Sequence, residues 1–184
     1  MNIRPSTASL AAIACSLVLL GCGARPLKPP EAPQASQPAA ASALADAAEA
    51  LAGTWSCTGA VYGANGAASP SQVNLTVALA LDEAWLRSDF AVLSGEHRYE
   101  FTSYRTFDTA ASQWVNVILD NLRGHALSRS TDGVTWTGES SGPMGSMKIK
   151  DTETIASPGK LDITGQYSLD GRAWSPGYEL SCLK

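Results

Sequence analysis

Val73-Asn74-Leu75-Thr76-Val77-Ala78-Leu79-Ala80-Leu81 decides the fold class. Val73, Leu75, Val77, Leu79 and Leu81 share one parity, against Asn74, Thr76, Ala78 and Ala80 on the other. A period of two puts one set of side chains on each face of a pleated strand, whereas a helix would scatter the same residues around its axis. A half-buried strand is predicted. Comparable stretches occur at 53–62, 85–94, 97–107, 113–120, 124–130, 134–140, 146–156, 161–169 and 177–183, giving about ten strands. Their connections carry turn chemistry: Leu93-Ser94-Gly95-Glu96, Phe107-Asp108-Thr109-Ala110-Ala111, Thr131-Asp132-Gly133, Ser157-Pro158-Gly159-Lys160 and Leu169-Asp170-Gly171. Asp-Gly supplies the positive φ that tight hairpins need. These connections leave no room for crossover helices, so the predicted fold is all-β, a single antiparallel up-and-down barrel, with a two-sheet sandwich as the alternative.

Two segments, Ser130-Thr131-Asp132-Gly133-Val134-Thr135-Trp136 and Ser168-Leu169-Asp170-Gly171-Arg172-Ala173-Trp174, both read Ser-x-Asp-Gly-x-x-Trp. They are similar to the Asp-box hairpins of sialidases but one residue shorter between Asp and Gly, and are expected to be turns with packing tryptophans.

The chain has 184 residues, 45% of them hydrophobic and 16% charged, which suits one domain. Thirteen Lys and Arg against 17 Asp and Glu give a net charge of −4, which argues against a nucleic-acid partner held through its phosphates, and none is expected. Two His and four Cys leave few ligands for a metal, and no metal site or cofactor is expected.

Arg4 is the only charged side chain before Arg25, and it precedes an apolar stretch from Leu10 to Leu20. This is the layout of a signal peptide. Its end, Leu19-Leu20-Gly21-Cys22, resembles the bacterial lipobox, in which the Cys is acylated and becomes N-terminal. Residues 1–21 are therefore expected to be a lipoprotein signal peptide and Cys22 a lipid anchor to the membrane, with an ordinary secreted precursor or an uncleaved anchor as alternatives. Gly23, where Asp would signal inner-membrane retention in enteric bacteria, points to the periplasmic face of the outer membrane. Residues 22–50 hold Pro26, Pro29, Pro30, Pro33 and Pro38 among many alanines, a linker composition that favours extended polyproline-like geometry. Helix formers from Ser42, placed as an N-cap, predict a short helix running into Gly53, with continued disorder as the alternative.

Removal of Cys15 and acylation of Cys22 leave Cys57 and Cys182 to pair in an oxidising compartment, or else to stay as two buried thiols. A disulfide between them requires the first and last strands of the domain 51–184 to be neighbours, as in a closed barrel.

Gly53-Thr54-Trp55 resembles the Gly-x-Trp opening of lipocalin-like barrels, where the Trp plugs one end. Together with Phe107–Trp114, Gly145–Ile155 and Tyr178-Glu179-Leu180-Ser181-Cys182, it makes residues 51–184 similar to an uncharacterised bacterial family, domain of unknown function 1579. The resemblance implies a lipocalin-like or fatty-acid-binding-protein-like barrel, distantly similar to nitrobindin-type haem barrels, and no established activity. Haem barrels take a histidine ligand late in the chain. Here only His97 and His125 are present, both read as surface residues, so haem is not expected.

Gly138-Glu139-Ser140-Ser141-Gly142 matches the nucleophile-elbow letters Gly-x-Ser-x-Gly but lies between strands with no histidine after it, and is read as a chance match. The barrel lumen remains. Alternation points Leu75, Val77, Leu79, Phe90, Val92, Tyr99, Phe101, Ser103, Arg105, Trp136, Met147, Ile149, Asp151, Glu153, Ile163, Tyr167, Tyr178 and Leu180 inward. Among these, Phe90, Phe101, Arg105, Trp136, Asp151, Glu153, Tyr167 and Tyr178 are the candidate ligand contacts. Charged groups in a dry core are costly. Arg105 therefore either pairs with an acid and packs the barrel end, or grips the anionic head of an elongated apolar molecule. Three functions follow: a non-enzymatic barrel binding a small hydrophobic or amphipathic molecule, a side-chain-filled structural or interaction barrel, or an enzyme using Asp151 or Glu153 as general base.

Overall fold

The computed structural model describes residues 37–94, 98–143 and 145–184, with side chains from Ala40 onward. The expected signal peptide at 1–21, Cys22, the linker up to residue 36, and His97 lie outside the described residues. Helix α1 (Gln37–Leu51) is followed by β1 (Gly53–Tyr62), β2 (Ala68–Ala80), β3 (Trp85–Val92), β4 (Glu100–Asp108) and β5 (Gln113–Asp120). The chain continues through β6 (His125–Ser130), β7 (Thr135–Gly142), β8 (Gly145–Ser157), β9 (Lys160–Ser168) and β10 (Ser175–Leu183). Each strand pairs antiparallel with the next, and β1 pairs with β10, so the meander closes into a barrel rather than a sandwich. Closure leaves no unpaired sheet edge.

The closing seam carries the cross-link. Cys57 and Cys182 stand directly opposite in the β1–β10 register and are joined by a disulfide with Cα atoms 3.9 Å apart. Both are buried, so the bond forms part of the core.

Strand boundaries differ from expectation at β2. It begins at Ala68, where the segment Ala68–Gln72 has no apolar alternation, because pairing with β1 extends to Tyr62↔Ala68 and cross-strand hydrogen bonds outweigh local pattern. At its other end Leu81 is not in the strand. Leu81, Asp82 and Glu83 all take positive φ in the turn to β3, and Leu81 is exposed, so the inward stripe stops at Val77 and Leu79 lies partly in solvent.

The Asp-Gly hairpins form as predicted. Gly133 and Gly171 have φ of 72° and 73°, and the preceding aspartates accept paired backbone N–H bonds, Asp132 from Val134 and Thr135, Asp170 from Arg172 and Ala173. The two repeats diverge at their tryptophans: Trp136 is buried in the lumen, while Trp174 is exposed on the outside and does no packing of the expected kind.

Helix α1 starts five residues before Ser42, so Ser42 lies within the helix instead of capping it. Its apolar positions Leu44, Ala47, Ala48 and Leu51 recur at helical spacing and join the core cluster with Trp55, Leu75, Val77, Leu86, Leu161, Ile163 and Leu180. The helix thus belongs with the barrel, and the domain takes in residues before 51. Trp55, fully buried, donates its indole N–H to the carbonyl of Leu51 at 2.8 Å, satisfying a last-turn acceptor that the helix cannot satisfy itself. Trp55 is the plug expected at that end of the barrel, with the Lys184 ammonium 5.2 Å from its ring.

The interior is divided. The wall made by β1, β2, β9 and β10 is lined by Trp55, Val73, Leu75, Val77, Leu161, Ile163 and Leu180. The wall made by β3 to β6 presents Ser88, Ser103, Arg105, Asn116, Ser128 and Ser130, all buried, beside the apolar Leu86 and Ala126.

Candidate functional site

Six of the eight candidate ligand residues converge on one enclosed cavity. Phe90, Phe101, Arg105, Trp136, Asp151 and Glu153 line a lumen void of about 60 Å³, together with Leu51 of α1. Tyr178 reaches the same group by donating its hydroxyl to Asp151 at 2.8 Å. Tyr167 is inward-facing but stands apart, opposite Ile149 and Ser175.

Arg105 on β4 and Glu153 on β8 form a two-pronged ion pair, Nη1 to Oε2 and Nη2 to Oε1, each 2.8 Å, with side chains 8% and 18% exposed. The guanidinium also lies over the Trp136 ring at 4.7 Å. Burial alone would make Arg105 easier to deprotonate, but Glu153 and Asp151 hold its pKa above the ordinary value, so it stays charged. Arg105 therefore has the acid partner that one reading expected, and Glu153 already occupies the fork that an anionic head would need. The pair also commits Glu153, leaving Asp151 as the carboxylate without an arginine fork.

Asp151 sits opposite Trp136 on one side and Gly165 on the other. Gly165 lets the Tyr178 ring lie across the strand; a Cβ there would come within 2.2 Å of that ring. Burial, reinforced by the charge of Glu153 and opposed by Tyr178 and Arg105, pushes the Asp151 pKa up to about 6. Tyr178 is raised well above its usual value by burial and by Asp151, and Tyr99 is pushed up to about 12 by burial and by Asp120. Because the folded Asp151 binds its proton more tightly than the unfolded one, its contribution to stability is full below the ordinary value of 3.8 and is lost as pH rises to about 6. Asp151→Asn is expected to be more stable than wild type at neutral pH by about 1–3 kcal/mol, with the gap closing near pH 4. Urea midpoints of the two proteins at both pH values check this, and parallel midpoints throughout would mean the carboxylate ionises as freely folded as unfolded.

Three buried polar atoms lining this void have no hydrogen-bond partner among the described residues, Nε of Arg105, Nε1 of Trp136 and Oδ1 of Asn116, and a fourth such atom, Oγ of Ser128, stands beside Asn116 in the β5–β6 register. Two are donors, one an acceptor and one either. Such groups cost free energy in a dry interior unless water or a ligand meets them. Asn116 and Ser128 face each other across β5 and β6 and were not among the residues expected from sequence. On β5 both parities are apolar, Trp114 and Ile118 on one and Val115, Val117 and Leu119 on the other, so alternation cannot choose a face. On β6 the usual polarity is reversed, with Ser128 and Ser130 buried and Leu127 exposed. No local signal pointed at this pair.

A second, larger cavity of about 320 Å³ opens between α1 and the barrel rim. Leu51, Arg105 and Trp136 line both cavities, and the outer one adds Ala47, Trp114 and Ile155 with two carboxylates, Asp46 and Asp132. Backbone N–H groups of the β6–β7 hairpin, first that of Thr135, lower the Asp132 pKa, so it is ionised at neutral pH.

The Gly138–Gly142 stretch is strand β7, not a strand-to-helix turn. Among the described residues no three His, Cys, Asp or Glu side chains cluster as a metal site would need, and no helix is long and apolar enough to cross a membrane. Comparison of the chain with models of known protein families and with curated proteins finds no match.

Proposed function

We propose that this barrel binds a small hydrophobic or amphipathic molecule, with its polar end in the lumen void and its apolar part between α1 and the barrel rim. The observation that carries this reading is the set of buried polar atoms on Arg105, Trp136 and Asn116 that line the lumen void without a hydrogen-bond partner among the described residues, next to a partly apolar cavity that shares Arg105 and Trp136 with it. A protein with no use for those atoms would gain by pairing them or replacing them with apolar groups. The outer cavity lies within the usual range for small-molecule sites, whereas the lumen void alone does not. The ligand is therefore compact, and α1 acts as its cover. The lipobox-like Leu19-Leu20-Gly21-Cys22 supports an envelope lipoprotein anchored through Cys22 at the periplasmic face of the outer membrane, where amphipathic cargo is at hand.

Native mass spectrometry of the full chain, extracted from its own envelope, tests the reading. A stoichiometric co-purifying small molecule is expected. A reproducibly empty barrel would instead favour a structural or interaction role, for which the closed Arg105–Glu153 pair in the lumen speaks.

A further inference from the structure

The charges around the two cavities are unbalanced. Among the described residues Arg105 is the one basic residue lining them, against Asp151 and Glu153 in the lumen and Asp46 and Asp132 at the outer opening. Glu153 neutralises Arg105 by gripping both of its terminal nitrogens. Asp151 feels the Arg105 charge but forms no ion pair with it, and Asp46 and Asp132 are exposed carboxylates at the outer opening, the latter already accepting from Ser130, Val134 and Thr135. Tyr178 only donates a neutral hydroxyl to Asp151, and Tyr99, near Asp151 and Asp120, is neutral as well. The lumen also holds an acceptor without a donor: Oδ1 of Asn116, whose side chain is buried, lines the void unpartnered. Trp114 and Trp136 add aromatic surface to the outer cavity, and Trp136 to the lumen void as well, which favours a cation over an anion.

We infer that the ligand is a cationic amphiphile, an amine or a substituted ammonium on a short apolar body, rather than the carboxylate that a lone arginine in a lumen would suggest. This rests on the lumen being a binding site at all. An anionic head would meet carboxylates on both sides of Arg105 and would have to displace Glu153 to reach the guanidinium. An ammonium head instead finds the Asn116 carbonyl and the Asp151 carboxylate, while its apolar part packs against Leu51, Trp114 and Ile155.

The test uses three probes with the same chain, hexylamine, hexan-1-ol and hexanoate, titrated calorimetrically into the full-length protein at neutral pH. The hexyl chain is short enough to stay in water. Hexylamine is expected to bind about tenfold or more tighter than hexanoate, with the alcohol between them, the size of difference that one charge interaction supplies. Asp151→Asn is expected to remove most of the advantage of the amine over the alcohol, read as the ratio of the two affinities in the variant against that in wild type. Glu153→Gln, by freeing the guanidinium, is expected to move the preference toward hexanoate. Hexanoate binding as tightly as hexylamine, or alcohol binding best with amine no better than hexanoate, overturns the inference and leaves the binding site standing. No heat from any of the three removes the binding site and the inference together.

Discussion

Arg105→Ala is expected to destabilise the protein by about 3–5 kcal/mol. The substitution leaves the Glu153 carboxylate, only 18% exposed, without its two-pronged partner, and a buried charge stripped of its counter-charge carries most of its desolvation cost unrelieved. It also removes the guanidinium stacked on Trp136. In a domain of this size that corresponds to a fall in melting temperature of roughly 10 °C or more. The companion Arg105→Met, Glu153→Leu double variant should recover most of the loss, because apolar side chains of similar volume need no compensation. Urea denaturation of the three proteins measures both effects. A change for Arg105→Ala within about 0.5 kcal/mol would show that Glu153 finds water through the cavity under α1 and that the lumen is wetter than its burial implies. Recovery in the double variant, together with lost ligand affinity, would separate what the pair does for binding from what it does for the fold.

The second large effect is expected at the barrel seam. Cys57→Ala with Cys182→Ala is predicted to cost about 2–5 kcal/mol, since the bond closes a loop across a sequence separation of 125 residues. Chain entropy favours the cross-link more as the loop lengthens, and here the loop is nearly the whole barrel. Both half-cystines are buried in the β1–β10 register, so a reductant should act slowly on the native protein and quickly once the seam opens. Differential scanning calorimetry of oxidised, reduced and double-alanine forms checks this. Identical melting of all three would mean that β1–β10 pairing and the Trp55 plug hold the barrel shut unaided.

The legible and the illegible parts of the molecule differ in how local their causes are. Strand β2 was readable from Val73 to Val77 because each side chain reports its own face, but its start at Ala68 was not, since Ala68–Gln72 are ordered by β1 alone. The two Ser-x-Asp-Gly turns were readable because the aspartate bonds to its own hairpin, whereas the different fates of Trp136 and Trp174 depend on where each hairpin lies on the barrel. At the site, Phe90, Phe101, Arg105, Trp136, Asp151 and Glu153 emerged from alternation. Asn116 and Ser128 did not, because β5 is apolar on both faces and β6 buries its serines.

The amino-acid order by itself determined a meander of about ten strands, the tight Asp-Gly hairpins and the inward parity of most strands, while the plugging tryptophan after Gly53 and the pairing of Cys57 with Cys182 were read through resemblances to known families. The first three follow from interactions between residues close in the chain. Only the tertiary structure decided that Arg105 meets Glu153 across 48 residues, that Tyr178 reaches Asp151 over Gly165, and that α1 covers one end of the barrel. Contacts across a lumen are set by the size of every side chain sharing it and by the stagger of strands around the barrel, and neither quantity is written in the period of any one strand.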